Sequence, residues 1–151
     1  LKTDGAGVLT WDKAGSGFFG STTLLKVMPT DFFMNDDYNR APVMVEDDTT
    51  NVLGIRAPST LTELYAFIAI PTGYKATKVQ VYASASTVSA VLAKKFVQTT
   101  GVTQDLESGD FNSEIDITDI TSSTTMNLVL KLSPASITTV IYGADITIVA
   151  V

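Results

Sequence analysis

The C-terminal segment of residues 121–151 constrains the fold more than any other part of the chain. It contains only two charged side chains, Lys131 and Asp145, and almost half of its residues are Val, Ile or Thr. β-Branched residues favour extended backbone, because their side chains pack well on a pleated surface. A strand pair this poor in charge is not stable by itself in water. We therefore expect the segment to be covered by a sheet, by a neighbouring subunit, or by both.

The whole chain is also poor in charge. Charged residues make up 17% of the 151 residues, below the proportion of about one quarter that soluble domains usually have. A chain of this length is most simply a single domain. Its surface must then consist largely of Ser, Thr and Ala, which suits contact with another protein and favours assembly over a solitary enzyme. The alternative is a small β-sandwich with a threonine-rich exterior.

Charge and residue usage exclude several classes of function. The net charge of −6 would repel a phosphate backbone, so no nucleic-acid partner is expected. The sequence has no apolar window of about 18 residues that could span a membrane, and its first residues do not resemble a signal peptide. Cys and His are both absent, which excludes disulfides, thiol nucleophiles, Cys/His zinc sites and imidazole-dependent triads.

Turn residues divide the chain into short segments with β-strand patterns. Residues 75–84 place Val79, Val81 and Ala83 on one face, and residues 126–132 place their Met and Leu side chains on one face. The apolar run 64–70 predicts a strand buried on both faces. The sequence predicts strands at 21–28, 42–46, 52–56, 64–70, 75–84, 88–97, 114–118, 126–132, 138–142 and 144–151.

Some segments leave alternatives open. Residues 88–97 fit either a helix or a strand, and the β-rich context favours the strand. Residues 71–74 form a turn that makes the flanking strands a hairpin or a corner. Residues 101–112 are polar and rich in turn residues, which predicts a loop. Gly143 predicts a bulge or a bend between the last two strands.

These patterns predict an all-β fold, an antiparallel β-sandwich of jelly-roll type. Eight to ten short strands at spacings of about ten residues, with no long amphipathic helix, are typical of two packed antiparallel sheets. Residues 21–151 would form this single domain. The glycine-rich residues 1–20 would form an extended N-terminal arm.

Clustered carboxylates are the candidate chemical groups. The acidic residues between 31 and 48 could offer oxygens to Ca²⁺, but the D-x-D-x-D-G spacing is absent, and a solvated loop is favoured. These residues are Asp31, Asp36, Asp37, Glu46, Asp47 and Asp48. A pair of carboxylates could also hydrolyse glycosides, but no pattern places two of them across a cleft. The candidates for such a pair are Glu63, Glu107, Glu114, Asp116 and Asp119. We therefore expect a non-enzymatic protein without a metal or cofactor.

Aromatic residues of the first half are the candidate interface residues. About half of them should simply belong to the core. Adjacent aromatics on a strand point to opposite faces, so one member of each Phe pair should point away from its own core. The predicted interface residues are Trp11, Phe18, Phe19, Phe32, Phe33 and Tyr38.

Three segments in the second half of the chain resemble sequences of virion structural proteins from aquatic tailed bacteriophages. They are residues 69–82 (AIPTGYKATKVQVY), residues 115–122 (IDITDITS) and residues 141–148 (IYGADITI). The resemblance covers roughly residues 64–151 and consists of sequence motifs that are typical of strands and turns. It contains no catalytic motif.

The resemblance implies a β-sandwich displayed on the surface of a phage particle. The first expectation is a capsid decoration, or cement, protein that acts as a homotrimer and bridges subunits of the major capsid protein. Its N-terminal arm would lie over the shell. The alternative is a tail fibre, spike or head-fibre domain that binds a host receptor or glycan through aromatics such as Tyr38 or Tyr74.

Overall fold

A computed structural model of the protein describes the backbone of residues 2–3, 9–10, 23–35, 42–47, 51–88 and 90–151. Side chains are described within 23–35, 42–45, 51–88 and 90–151. The predicted arm at 1–20 lies outside these ranges, apart from two short paired strands, β1 (Lys2–Thr3) and β2 (Leu9–Thr10). The proposed division into an arm and one domain therefore stays a prediction.

The remaining described residues are almost entirely strands and tight connections. Their only helical element is a 3₁₀ turn at Pro29–Asp31, so the described residues contain no helix long enough to cross a membrane. The strands are β3 (Leu24–Val27), β4 (Phe33–Met34), β5 (Val43–Asp47), β6 (Val52–Arg56), β7 (Leu64–Ile68), β8 (Tyr74–Ala83), β9 (Val91–Val97), β10 (Val102–Gly109), β11 (Glu114–Thr121), β12 (Met126–Leu132) and β13 (Ile141–Ala150).

The strands form two antiparallel sheets that pack face to face as a jelly-roll sandwich. One sheet has five strands in the order β10-β9-β12-β7-β4, and the other has the order β11-β8-β13-β6-β5, with β3 also paired to β13. Most consecutive strands lie in opposite sheets, so the chain repeatedly crosses between layers. This architecture confirms the predicted all-β antiparallel sandwich.

The charge-poor C-terminal segment occupies the centre of both sheets. Strand β12 lies between β9 and β7, and strand β13 has β8 on one side and β3 and β6 on the other. Central strands need no charged side chains, because both edges are hydrogen-bonded and the inner face is covered. The prediction that residues 121–151 are covered by sheet is confirmed.

The core lies between the two sheets. Leu128, Leu130 and Leu132 of β12 point inward and are 0% exposed, as are Leu64 and Ile146 of other strands. Because side chains alternate along a strand, the period-two pattern of β12 predicted its inner face correctly. Strand β8 likewise buries the predicted Val79, Val81 and Ala83.

The predictions for residues 64–70 and 101–112 were wrong. The run 64–70 is not buried on both faces: Leu64 and Ala66 are 0% exposed, but Phe67 is 48% exposed and the strand ends at Ile68. Residues 101–112 do not form a loop, because 102–109 is the edge strand β10. An edge strand with mostly exposed side chains needs no apolar alternation, so its pattern resembles that of a loop.

The two open questions about turns are decided by the topology. The turn at 71–74 is a corner and not a hairpin, because β7 and β8 belong to different sheets. Gly143 is a bulge with φ of 132° inside one continuous strand, β13, so it does not separate two strands. Residues 91–97 form the strand that the β-rich context favoured.

Candidate interaction surface on the five-stranded sheet

The outer face of the five-stranded sheet carries the largest cluster of aromatic side chains among the described residues. Tyr65 and Phe67 alternate with the buried Leu64 and Ala66, so they point away from the core. The register places Phe33 of β4 beside Tyr65. Strand β9 contributes Phe96 from the other side of β12.

Three of these rings are in contact and form what we call the aromatic cluster: Phe33, Phe67 and Phe96. Phe33 and Phe67 stack with centroids 5.6 Å apart and planes within 6°, and Phe67 meets Phe96 edge to face at 5.3 Å and 87°. Both arrangements are favourable for aromatic pairs. Phe33 is nevertheless 50% exposed and Phe67 48%. The cluster is therefore an ordered apolar surface that faces solvent.

Val129 shows how tightly this outer face is packed. It alternates with the inward-facing Leu128 and Leu130, yet its side chain is only 1% exposed. Its register partners are Phe67 in β7 and Lys94 in β9. An outward-facing valine can be buried only by side chains of its own face. The outer face thus has a small apolar layer of its own, separate from the main core.

Ion pairs border the aromatic cluster. The Lys131 ammonium lies 2.5 Å from Glu63 Oε1, and the hydroxyl of Tyr65 donates to Glu63 Oε2 at 2.9 Å. The Asn35 amide donates to the same oxygen at 2.8 Å. Lys94 pairs with Asp105 on the neighbouring edge strand. An apolar centre with a polar border is the usual anatomy of a protein interface.

The Glu63 network shifts the pKa values of its members. Burial alone would raise the pKa of Glu63, but the hydrogen bonds from Lys131 and Tyr65 outweigh it and lower the pKa. The hydrogen bond to Glu63 raises the pKa of Lys131 against the opposing effect of burial. Burial, together with the bond to Glu63, raises the pKa of the Tyr65 hydroxyl. The carboxylate and the ammonium are therefore both held in their charged forms.

A Glu63→Gln variant should lose stability at neutral pH and little in acid. A lowered pKa means that Glu63 stabilises the fold above its ordinary value of 4.5 and that this contribution disappears as pH falls through the folded pKa. We expect a loss of about 1 kcal/mol at pH 7 for this partly exposed group. Urea unfolding at pH 7 and at about pH 3 should show the difference from wild type shrinking in acid. An equal loss of unfolding free energy at both pH values would show that the charged form of Glu63 does not stabilise the fold.

A groove opens beside the aromatic cluster at one edge of the sandwich. It has a volume of about 400 Å³ and lies between β3 and the end of β7. Phe33 and Phe67 form an aromatic wall, and Lys26 and Asp31 add polar groups. Lys26 also pairs with Asp145 at 2.7 Å, and Asp31 accepts a hydrogen bond from the Met28 amide at 2.7 Å. The groove therefore extends the aromatic surface toward the second sheet.

The structure places only part of the predicted interface set. Phe32 is 3% exposed in the core and Phe33 is 50% exposed, so this pair does point to opposite faces. Trp11, Phe18, Phe19 and Tyr38 lie outside the described residues. The interface role of all six stays a prediction.

Phe67 and Phe96 were not predicted as surface residues from the sequence. The signal was present in the run 64–68, where the large Tyr65 and Phe67 alternate with Leu64 and Ala66. A strand buried on both faces and a strand with an aromatic outer face have similar apolar composition. Only the exposure of the second face separates them.

The candidate carboxylates are used mainly in ion pairs on the surface. Glu114 pairs with Lys78 at 2.6 Å and Asp119 with Lys75 at 2.5 Å, while Glu63 belongs to the network above. Glu107, Glu114 and Asp116 also line an open groove of about 390 Å³ between β10 and β11. Asp31 caps the 3₁₀ turn, and the side chains of the other acidic residues of 31–48 are outside the described set. Among the described residues, no group of three or more acidic side chains could hold a metal ion.

Comparisons with known proteins give fold-level likeness at low identity. No protein-family model matches the chain, and no curated protein matches it. A Clostridium thermocellum structure of the CBM22-1 and GH10 modules of endo-1,4-β-D-xylanase 10B, complexed with xylohexaose, aligns at 15% identity and a TM-score of 0.44. The alignment covers 85% of this chain but only 28% of that chain. A solved CBM4 structure aligns at 14% identity and a TM-score of 0.41, over 82% of this chain and 96% of that chain. At these values neither likeness indicates a ligand or an activity for this protein.

Proposed function

We propose that this protein is a non-enzymatic structural protein of a bacteriophage virion. Its role would be that of a capsid decoration protein, which binds the major capsid protein as a homotrimer and stabilises the head. The resemblance of residues 64–151 to phage virion proteins supports the class of protein. The low content of charge, 17%, supports a role in assembly. The aromatic cluster is the surface through which the protein would bind the major capsid protein.

The aromatic cluster is the observation that carries the proposal. Hot spots of protein interfaces are enriched in large rigid side chains that become fully desolvated on binding. Phe33 and Phe67 present about half of their surface to solvent although they stack on each other. The ion pairs of Lys131 and Lys94 form the polar border that such a hot spot requires. The cluster lies on paired strands, so little conformational freedom is lost when a partner covers it.

Attachment through several copies would multiply a modest single affinity. A decoration protein with three linked sites dissociates only when all three contacts open together. Contacts of this kind need not be strong individually. This accounts for a surface with only a few aromatic anchors.

Binding of the wild-type protein and of two variants to capsids that lack this protein tests the proposal. The double variant Phe33→Ser/Phe67→Ser should bind capsids about 10-fold to 100-fold more weakly than wild type, because two anchors are lost. Tyr142→Ser removes an aromatic that is 39% exposed on the other sheet and serves as the matched control. Binding curves on purified particles provide the measurement, and thermal unfolding of each free variant verifies its fold. Failure of the wild-type protein to bind capsids, or equal loss in the control, would contradict the proposal.

The second candidate function is recognition of a host surface glycan or receptor by a fibre or spike. The groove of about 400 Å³ beside Phe33 and Phe67 favours it, because small ligands bind in concave sites with aromatic walls and a few polar groups. A glycan-binding screen with Lys26→Ala as a groove variant tests this candidate. Electron microscopy of the particle separates the two functions: many copies on the head support decoration, and a few copies at the tail support recognition.

A further inference from the structure

Five pairs of facing strands are consecutive in the sequence and have their joined ends side by side at one end of the sandwich, which we call the crossover end. In spatial order the pairs are β10–β11, β8–β9, β12–β13, β6–β7 and β4–β5, and most of the sequence between β4 and β5 lies outside the described residues. The register confirms this placement, because Leu64 pairs with Leu132, Leu132 with Val91, and Val91 with Gly109. The end therefore has three central connections and two flanking ones.

The three central connections contain no charged residue. Residues 84–90, 133–140 and 57–62 consist of Ser, Thr, Ala, Pro, Val, Leu and Ile. Glu63, which follows the last of these, turns onto the five-stranded sheet to pair with Lys131. The flanking connections do contain charges: Asp110 at one edge and Asp36, Asp37 and Arg40 in the sequence between β4 and β5. Charge is thus depleted at the centre of this end.

Each central connection exposes one large aliphatic side chain. Leu61 is 89% exposed, Val88 78% and Ile137 49%. Leu61 lies in the turn closed by the Thr62 amide and the Ser59 carbonyl at 3.2 Å, and Ile137 in the equivalent turn between Thr139 and Ser136 at 3.2 Å. Turn positions favour Gly, Asn, Asp, Pro and Ser for conformational reasons. Local structure therefore does not explain why Leu and Ile are found there.

Two of the three central connections, residues 84–90 and 133–140, are hydrogen-bonded to each other. The Ser84 amide donates to the Val140 carbonyl at 2.9 Å, and the Val140 amide donates to Ser84 Oγ at 3.0 Å. The Ser133 amide donates to the Ala90 carbonyl at 2.8 Å. Val88 and Ile137 are therefore carried by connections that hydrogen bonds hold together. A surface ordered in this way loses little entropy when it is covered.

We propose that the crossover end binds a second copy of this chain through Leu61, Val88 and Ile137. The net charge of −6 makes two copies repel each other, so their contact is most favourable where charge is absent. In a rotationally symmetric contact, a side chain near the axis meets its own copy, and a charged one would meet the same charge. Aliphatic groups match themselves, and a hydroxyl can both donate to and accept from its copy.

The same features disfavour other occupants. Anionic membranes and nucleic acids attract Lys and Arg, which the central connections lack. Small-ligand sites are usually concave and lined by aromatic groups, and these three connections contain no aromatic residue. The proposed function includes a homotrimer, and this inference names the surface through which the copies would associate. It rests on that self-association and does not depend on binding to the capsid.

Sedimentation of the isolated chain over a concentration series tests this inference. Wild type should associate reversibly, and the triple variant Leu61→Ser/Val88→Ser/Ile137→Ser should associate about 100-fold more weakly. The matched control Leu53→Ser/Val102→Ser/Val151→Ser removes three aliphatics that are 58%, 58% and 76% exposed outside the central connections. Circular dichroism verifies folding of both variants. A wild type that is monomeric at every concentration, or a control that weakens association equally, would overturn the inference.

Salt dependence provides a second, independent readout. A contact without charges should not weaken as salt is raised, whereas one built on the ion pairs of Lys94 or Lys131 should weaken. Ile137→Asp would place a negative charge of each copy opposite that of the other. Association should therefore be abolished at low salt and should return in part at high salt, where the repulsion is screened. Salt-induced dissociation of the wild type would refute the charge-free contact. Since no capsid is present in these experiments, their failure leaves capsid binding intact as a separate result.

Discussion

Replacing Leu130 by alanine is expected to lower the free energy of unfolding by about 2–5 kcal/mol. Leu130 is 0% exposed in β12, the central strand of the five-stranded sheet, and its side chain packs in the core between the sheets. Removing it leaves a cavity, and a strand paired on both edges can shift little to fill it. Urea unfolding followed by circular dichroism measures the change.

Leu61 provides the control for this substitution. Leu61→Ala removes the same atoms from a position that is 89% exposed, so the monomer should keep its stability within about 0.5 kcal/mol. The comparison should be made at low protein concentration, where self-association does not add to stability. Equal losses at both positions would show that Leu130 is not in the tightly packed core.

Replacing Gly143 by alanine is expected to destabilise the protein by about 2–4 kcal/mol. Its φ of 132° is unfavourable for any residue with a Cβ, and an added Cβ would lie 2.6 Å from the Val27 carbonyl oxygen. That oxygen belongs to β3, which pairs with β13 at Ala144. Alanine must therefore both strain the bulge and push β3 away from its partner strand. Thermal and urea unfolding measure the loss.

Gly73 separates these two effects. It also has a positive φ, 84°, but an added Cβ there meets no atom within 4 Å. Gly73→Ala should therefore cost only the backbone strain, about 1 kcal/mol. If Gly143→Ala were no more harmful than Gly73→Ala, the close approach of β3 to the bulge would not matter for stability.

Strand identity was largely predictable where one face of the strand is buried. The alternation of residues 126–132 and 75–84 predicted β12 and β8 together with their inner faces. The pattern failed at β10, because an edge strand with an exposed surface has no reason to alternate. It also failed at Phe67, since apolar composition alone does not show whether the second face of a strand is covered.

The candidate surfaces were less predictable than the strands. Phe33 was predicted as an interface residue from its pairing with Phe32, but it stacks on Phe67, which in turn contacts Phe96, and both of these rings come from strands far away in the sequence. Likewise, nothing local indicates that Leu61, Val88 and Ile137 belong to one end of the fold. Their proximity follows from strand order and register, which depend on packing across the whole domain.

The amino-acid sequence by itself determined the strands that bury one face, such as β8 and β12, and that the charge-poor residues 121–151 must be covered. It could do so because alternation and low charge are local properties of a segment that must bury one face. The tertiary structure alone decided which strands are neighbours, which faces remain open and which connections share an end. Those outcomes depend on contacts between distant residues. The aromatic cluster therefore exists only once the five-stranded sheet is assembled, and the charge-depleted centre of the crossover end only once both sheets are.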